Sequence, residues 1–162
     1  MNMAAELQFC TGQKMKHKSI SKIYEVEDVV VAVRNLFSGR LFLHKGMAEI
    51  APGITIHSVG GHTPGSQVVR VATKRGYVVL ASDAAHLWAN IRLRSPLPIL
   101  DDLAKALDAF NEIENLADSP DHIIPGHDPQ VATCFVQWNS DPHIFCLHEP
   151  LQNEIKIPDF SK

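Results

Sequence analysis

Much of what would place a chain in a function class at once is missing from this one. No block of lysine and arginine interrupts it and the formal net charge is -3, so there is no electrostatic case for nucleic acid or an anionic membrane as partner. A small molecule is the expected ligand. No apolar run approaches the roughly 18 residues that cross a bilayer, and residues 1–18 lack the apolar centre of a signal peptide, which predicts a soluble chain. Cysteine is scarce. Cys10, Cys134 and Cys146 are odd in number and show no CxxC spacing, which argues against a disulfide frame or a thiolate zinc site and for reduced, mostly buried thiols in a cytoplasmic setting. Repeats, low-complexity tracts and an interdomain linker are also absent. What remains, 162 residues that are 45% hydrophobic and 20% charged, suffices for one core and predicts a single domain, or most of one, over 1–162.

Periodicity then divides the chain. Between Glu25 and Phe37, Val26, Val29, Val30, Val33 and Phe37 recur at helical spacing behind acidic residues, and Gly39 follows as a stop signal. Short β-type runs come next: Leu41 to His44, Ile54 to Val59, Gln67 to Thr73 and Tyr77 to Ser82. Turn material such as Ala51-Pro52-Gly53 and Lys74-Arg75-Gly76 separates them, as in a meander of adjacent strands. After the loop Ser95 to Pro98, a second helix is predicted from Asp101 to about Ala117, with Leu103, Leu107, Phe110 and Ile113 facing the core and Glu114 off the stripe. His122-Ile123-Ile124 reads as a short buried strand, and Asp128 as the cap of a helix beginning at Pro129.

Three of these strands run into a residue type that binds metal or moves protons. Ile54 to Val59 leads to Gly61-His62, Tyr77 to Ser82 leads to Asp83, and Ile123-Ile124 leads to Gly126-His127. Neighbouring strands lie about 5 Å apart, so residues just past their ends converge if the strands run the same way. Two imidazoles and a carboxylate there would suit a zinc-like or iron-like ion. Gly61, Gly65 and Gly126 permit the tight turns, which Pro64 and Pro125 stiffen. Singly, each residue has a plainer explanation: a loop histidine is usually solvated or hydrogen-bonded, and an aspartate after a strand is often a cap. Asp128 would cap the next helix or orient His127. His57 alternates with apolar residues and reads as structural, while His17, His44, His122, His143 and His148 carry no signal.

Together, Gly61-His62-Thr63-Pro64-Gly65, Leu80-Ala81-Ser82-Asp83-Ala84-Ala85-His86 and Ile124-Pro125-Gly126-His127-Asp128 resemble the last three metal motifs of the metallo-β-lactamase superfamily, in the same order. The wording GGHTPGSQVV followed by VVLASDAAH is most similar to N-acyl homoserine lactonases, and Leu7-Gln8-Phe9-Cys10-Thr11-Gly12 resembles the segment that follows the first metal motif in that group. The resemblance implies an α/β (α+β) fold: the C-terminal half of an αββα sandwich, with a mostly antiparallel or mixed sheet and flanking helices. It implies that His62 ligates one zinc ion, Asp83 bridges two, and His127 ligates the second. It also implies that a hydroxide between the ions opens a lactone or ester with no side-chain nucleophile. His86 stands where some of these lactonases place a substrate-contacting tyrosine. A substrate or proton-transfer role and a structural role on a helix face are both open for it.

The superfamily's first motif, HxHxDH, has no counterpart, since no two of the nine histidines are separated by two residues. Without it, a single ion on His62, Asp83 and His127 is the alternative to the two-ion site. The first sheet would also be missing, leaving one sheet face bare for a homodimer or a complementing N-terminal half to cover. Three functions follow: a lactonase-like hydrolase completed elsewhere, a catalytically silent binding or assembly module, and a hydrolase of another ester, thioester or lactam.

Overall fold

The computed structural model describes residues 3–159. Five strands form one open sheet in the order β1-β2-β3-β4-β5. They are Ala48–Ala51 (β1), Ile54–Ser58 (β2), Gln67–Thr73 (β3), Gly76–Ser82 (β4) and Ile123–Pro125 (β5). The first four pair antiparallel and β5 runs parallel to β4. The helices are α1 (Met3–Cys10), α2 (Lys18–Ser21), α3 (Val26–Phe37), α4 (Trp88–Arg92), α5 (Leu103–Leu116) and α6 (Val131–Cys134). The expected α+β class with a mixed, mainly antiparallel sheet is what is observed.

Strand alternation assigns each face. Val68, Val79, Ala81 and Ile123 point toward α5 and pack with Phe110 and Ile113, forming the main core. A parallel β4–β5 pair needs a crossover, and residues 83–122 supply it, carrying α5 over that face. Val78, Leu80 and Ile124 point the other way and are covered by Trp88, Phe135, Phe145, Leu147 and the stretch through Ile157. The expected bare face is therefore covered at its β4–β5 side by the chain's own C-terminal segment. Arg75 helps to hold that segment, donating to the Glu149 carbonyl at 2.6 Å. Over β2 and β3 the same face borders a cavity of about 370 Å³ lined by Ile56, Val69, Ile23 and Tyr24.

Several sequence expectations shift. Leu41 to His44 is irregular, with Phe42 75% exposed. The strand lies instead at Ala48–Ala51, because the Pro52-Gly53 turn places the residues that immediately precede it opposite β2, pairing Ala51 with Ile54. The helix expected over 101–117 is α5, capped by Asp102, whose carboxylate accepts from the Lys105 amide at 3.1 Å. Ile113 and Phe110 are core as expected, but Leu103 is exposed and Ala106 and Ala109 are buried in its place. Small residues are needed on that flank because the Gly61 backbone runs against it. Asp128 starts no helix at Pro129: residues 129 and 130 form a turn and α6 begins at Val131. Helix α3 forms where its periodicity predicts, yet none of its residues is buried and Val26 and Phe37 are mostly exposed. Its start signals and spacing suffice for the helix but do not supply a partner for its apolar stripe.

Candidate metal centre

Topology sets the site. β2 and β4 run the same way because β3 lies antiparallel between them, and β5 runs parallel to β4. The far ends of β2, β4 and β5 therefore meet one edge of the sheet. β4 and β5 are immediate neighbours, whereas β2 and β4 are two spacings apart, about 10 Å. Loops must bridge that larger gap.

The β4 end turns sharply at Ser82, a non-glycine residue at φ 47, which is the kind of local strain that functional turns carry. Asp83 follows. At the end of β5, Gly126 passes so close to Ser82 that a Cβ there would fall 2.6 Å from the Ser82 carbonyl oxygen. The Gly126 and His127 amides donate to the Ala85 and His86 carbonyls, both at 2.9 Å. Held this way, His127 Nε2 lies 2.7 Å from Asp83 Oδ1, and His86 Nε2 lies 3.6 Å from the same oxygen. The His86 and His127 rings stack at 4.8 Å between centroids. His86 sits in the loop before α4, which removes the helix-face reading. Burial lowers its pKa, with Asp83 opposing and His127 and His62 reinforcing the shift.

His62 lies in the β2–β3 hairpin loop. Its ring meets that of His86 edge-on at 5.5 Å, and its Nδ1 donates to the Ile99 carbonyl at 2.6 Å. That bond leaves Nε2 as the unprotonated nitrogen, the tautomer a ligating histidine needs. The amides of Asp101 and Asp102 donate back to the Gly61 carbonyl at 2.9 and 3.1 Å. The four residues singled out from the sequence, His62, Asp83, His86 and His127, thus come to one sheet edge. Ligand atoms of Asp83, His86 and His127 all lie within 4.8 Å of one another.

One support was not legible beforehand. Glu6 of α1 is 5% exposed and accepts from Thr63 Oγ1 at 2.7 Å and from the Gly65 amide at 3.0 Å. Tyr24 donates its hydroxyl to the other Glu6 oxygen, and burial followed by that bond raises the Tyr24 pKa. No local pattern marks Glu6, since its partners lie 18 (Tyr24), 57 (Thr63) and 59 (Gly65) positions away. Asp128 does not touch His127. Its carboxylate accepts from the Trp88 amide at 3.0 Å and the Gln130 amide at 3.0 Å, joining the start of α4 to the turn after β5. The residues expected to be structural are so: His57 bonds Thr55 at 2.9 Å, while buried His122, which carried no sequence signal, bonds the Tyr77 carbonyl at 3.2 Å. The three cysteines are unpaired, with Cys134 and Cys146 buried. No helix among the described residues is long and apolar enough to cross a membrane.

Solved structures are similar to this chain over part of their length. An N-acyl homoserine lactone hydrolase with N-hexanoyl-L-homoserine bound at its catalytic metal centre matches 55% of this chain and 36% of its own, at 26% identity and TM-score 0.50. A quorum-quenching N-acyl homoserine lactone lactonase matches 59% and 40%, at 28% identity and TM-score 0.52. Over the matched part, about 55% of the chain, the fold is that of N-acyl homoserine lactonases of the metallo-β-lactamase superfamily. The dizinc quorum-quenching lactonase AidC matches 77% of the chain and 46% of its own at 17% identity and TM-score 0.52, a likeness of fold alone. The chain thus spans less than half the length of these lactonases. No family model matches it, and no curated protein does.

Proposed function

We propose that this chain carries the C-terminal part of a metal-dependent hydrolase of the N-acyl homoserine lactonase type, acting on a small lactone or ester. The supporting observation is the meeting of His62, Asp83, His86 and His127 at one sheet edge in a lactonase-like fold. Imidazole nitrogens and a carboxylate oxygen are a donor set that suits zinc, and the three closest donors are near enough for one ion. A two-ion site needs the HxHxDH donors as well, so the reading includes an upstream segment or a partner chain that supplies them and the first sheet. In that complete site His62 would serve one ion, His127 the other, and Asp83 both. A bound ion would polarise the carbonyl and lower the pKa of water.

The chain's own groups have the remaining tasks. The Ile99 carbonyl engages His62 Nδ1 and leaves Nε2 as the nitrogen available to a metal, and the amide bonds from Gly126 and His127 fix the Asp83–His127 pair. His86, only 18% exposed in its side chain, lines a small pocket together with His62 and Asp83, and burial lowers its pKa. It can hydrogen-bond substrate there or pass a proton. A cavity of about 470 Å³ beside His62 joins an apolar wall of Phe9, Ile20, Ile23 and Leu100 to charged Lys14, Lys22 and Asp101, so it offers the acyl part of such a substrate an apolar side and a polar rim. A reducing cytoplasmic setting, with all three cysteines as thiols, belongs to the same reading.

The test loads the full chain with zinc and measures opening of N-hexanoyl homoserine lactone by proton release, alone and with an added HxHxDH segment. Turnover above that of His127→Ala is expected. Turnover equal to that variant in both settings sinks the hydrolase. The second reading, a silent binding or assembly module, is favoured by the lack of any HxH spacing, and it is the one that result would leave. Turnover confined to thioesters or lactams would keep the mechanism and change the substrate.

A further inference from the structure

We infer that in this chain alone, before HxHxDH donors complete a two-ion site, Asp83, His86 and His127 form a three-ligand site for one divalent transition-metal ion, with His86 taking a ligand's place and His62 outside it. The inference deepens the metal part of the proposed function. The reason lies in the sheet. Asp83 and His127 follow adjacent parallel strands, and His86 follows Asp83 by three residues, so these three are gathered without bridging a strand. His62 follows β2, with β3 intervening.

Distances agree with that division. In a tetrahedral site with metal–ligand bonds near 2.0–2.1 Å, ligand atoms stand about 3.3 Å apart. Asp83 Oδ1 lies 2.7 Å from His127 Nε2 and 3.6 Å from His86 Nε2. Among the described residues, this is the one group of three or more such donors gathered within 4.8 Å. The group is also held in place before any ion arrives. The Gly126 amide bonds the Ala85 carbonyl and the His127 amide bonds the His86 carbonyl, each at 2.9 Å, so the loop after β4 and the turn after β5 move as a unit. His62 is instead tied through Nδ1 to Ile99, in the neighbouring loop. Side-chain exposures of 60% for His127 and 44% for Asp83 leave the site open to solvent, so an ion can enter and a fourth position stays free. Two imidazoles and one carboxylate select zinc, cobalt or iron(II) over magnesium or calcium.

The test titrates the metal-free full chain with Co²⁺ and follows visible absorption, with Zn²⁺ as competitor. One ion per chain is expected. Loss of an outer partner alone weakens metal binding by about 10–100-fold, so His86→Ala, which removes a direct ligand, should cost at least about 100-fold. His62→Ala should stay within a few-fold of the parent. In His86→Cys, a thiolate-to-cobalt charge-transfer band should appear in the near ultraviolet, absent from the parent with its three native cysteines. A structural role for His86 would give no such band. Binding of two ions, no binding, equal losses in His62→Ala and His86→Ala, or a missing band in His86→Cys each overturns the site. Tight binding of one ion without lactone opening would overturn the hydrolase and leave the site standing.

Discussion

Replacing Glu6 tests whether the loop that carries His62 is held from outside its own hairpin. The Glu6 carboxylate, 5% exposed, accepts from Thr63 Oγ1, from the Gly65 amide and from the Tyr24 hydroxyl. Thr63 Oγ1 keeps a second partner in Ser66 Oγ at 3.0 Å, so Glu6→Ala strands chiefly the Gly65 amide and the Tyr24 hydroxyl. Hydrogen bonds to a charged group contribute about 1.5–3 kcal/mol each. Two of them, less the desolvation no longer suffered by the carboxylate, give a net loss of about 2–4 kcal/mol. Glu6→Gln keeps an acceptor oxygen for Thr63 and Gly65 and turns an amide donor toward Tyr24, whose hydroxyl can accept, so it should cost only about 1 kcal/mol. Urea unfolding of the full chain measures both variants, provided the transition slope is unchanged. Amide exchange at Gly65 should quicken in Glu6→Ala and change little in Glu6→Gln. A Glu6→Ala loss below about 0.5 kcal/mol, or equal losses in the two variants, would refute the clamp, because each contradicts the charged hydrogen-bond values used here.

Other changes probe the remaining supports. Gly61→Ala would put a Cβ 2.7 Å from the Ala106 Cα at φ +90, combining backbone strain with overpacking against α5. A loss of about 2–4 kcal/mol is expected in thermal unfolding, and a variant as stable as the parent would show that α5 yields freely. Phe110→Ala empties the centre of the main core, where Phe110 is 1% exposed; it should cost about 3–5 kcal/mol, and a loss under about 1 kcal/mol would mean the core closes over the gap. Burial holds the His57 imidazole below its usual 6.5, with Glu112 opposing and Arg70 reinforcing. The unfolded chain therefore binds that proton first, so His57 favours the folded state above pH 6.5, and this contribution is lost as pH falls through its lower folded value. His57→Gln should flatten that decline in stability-versus-pH curves, and an unchanged slope would count against it.

The sequence alone determined whatever depends on neighbours in the chain. Alternating β2, β3 and β4, the start of α3 and the core face of α5 at Phe110 and Ile113 all follow from periodicity and turn residues, which act over a few positions. His62 and His127 were visible beside glycine and proline turns and Asp83 at the end of β4, whereas His86 stood out only through the resemblance to the lactonases. Tertiary structure decided the rest. The β1 position was fixed by pairing across the Pro52-Gly53 turn, which Leu41 to His44 could not reveal. Helix α3 has an apolar stripe that local spacing creates and only a partner surface could bury. The C-terminal segment covers the β4–β5 side of the face expected to be bare, because Phe135, Phe145, Leu147 and Ile157 reach it only once the chain has folded back. Which donors stand together is likewise a matter of strand order. β5 lies beside β4 and β3 separates β2 from them, so Asp83, His86 and His127 are drawn close while His62 is held one strand away.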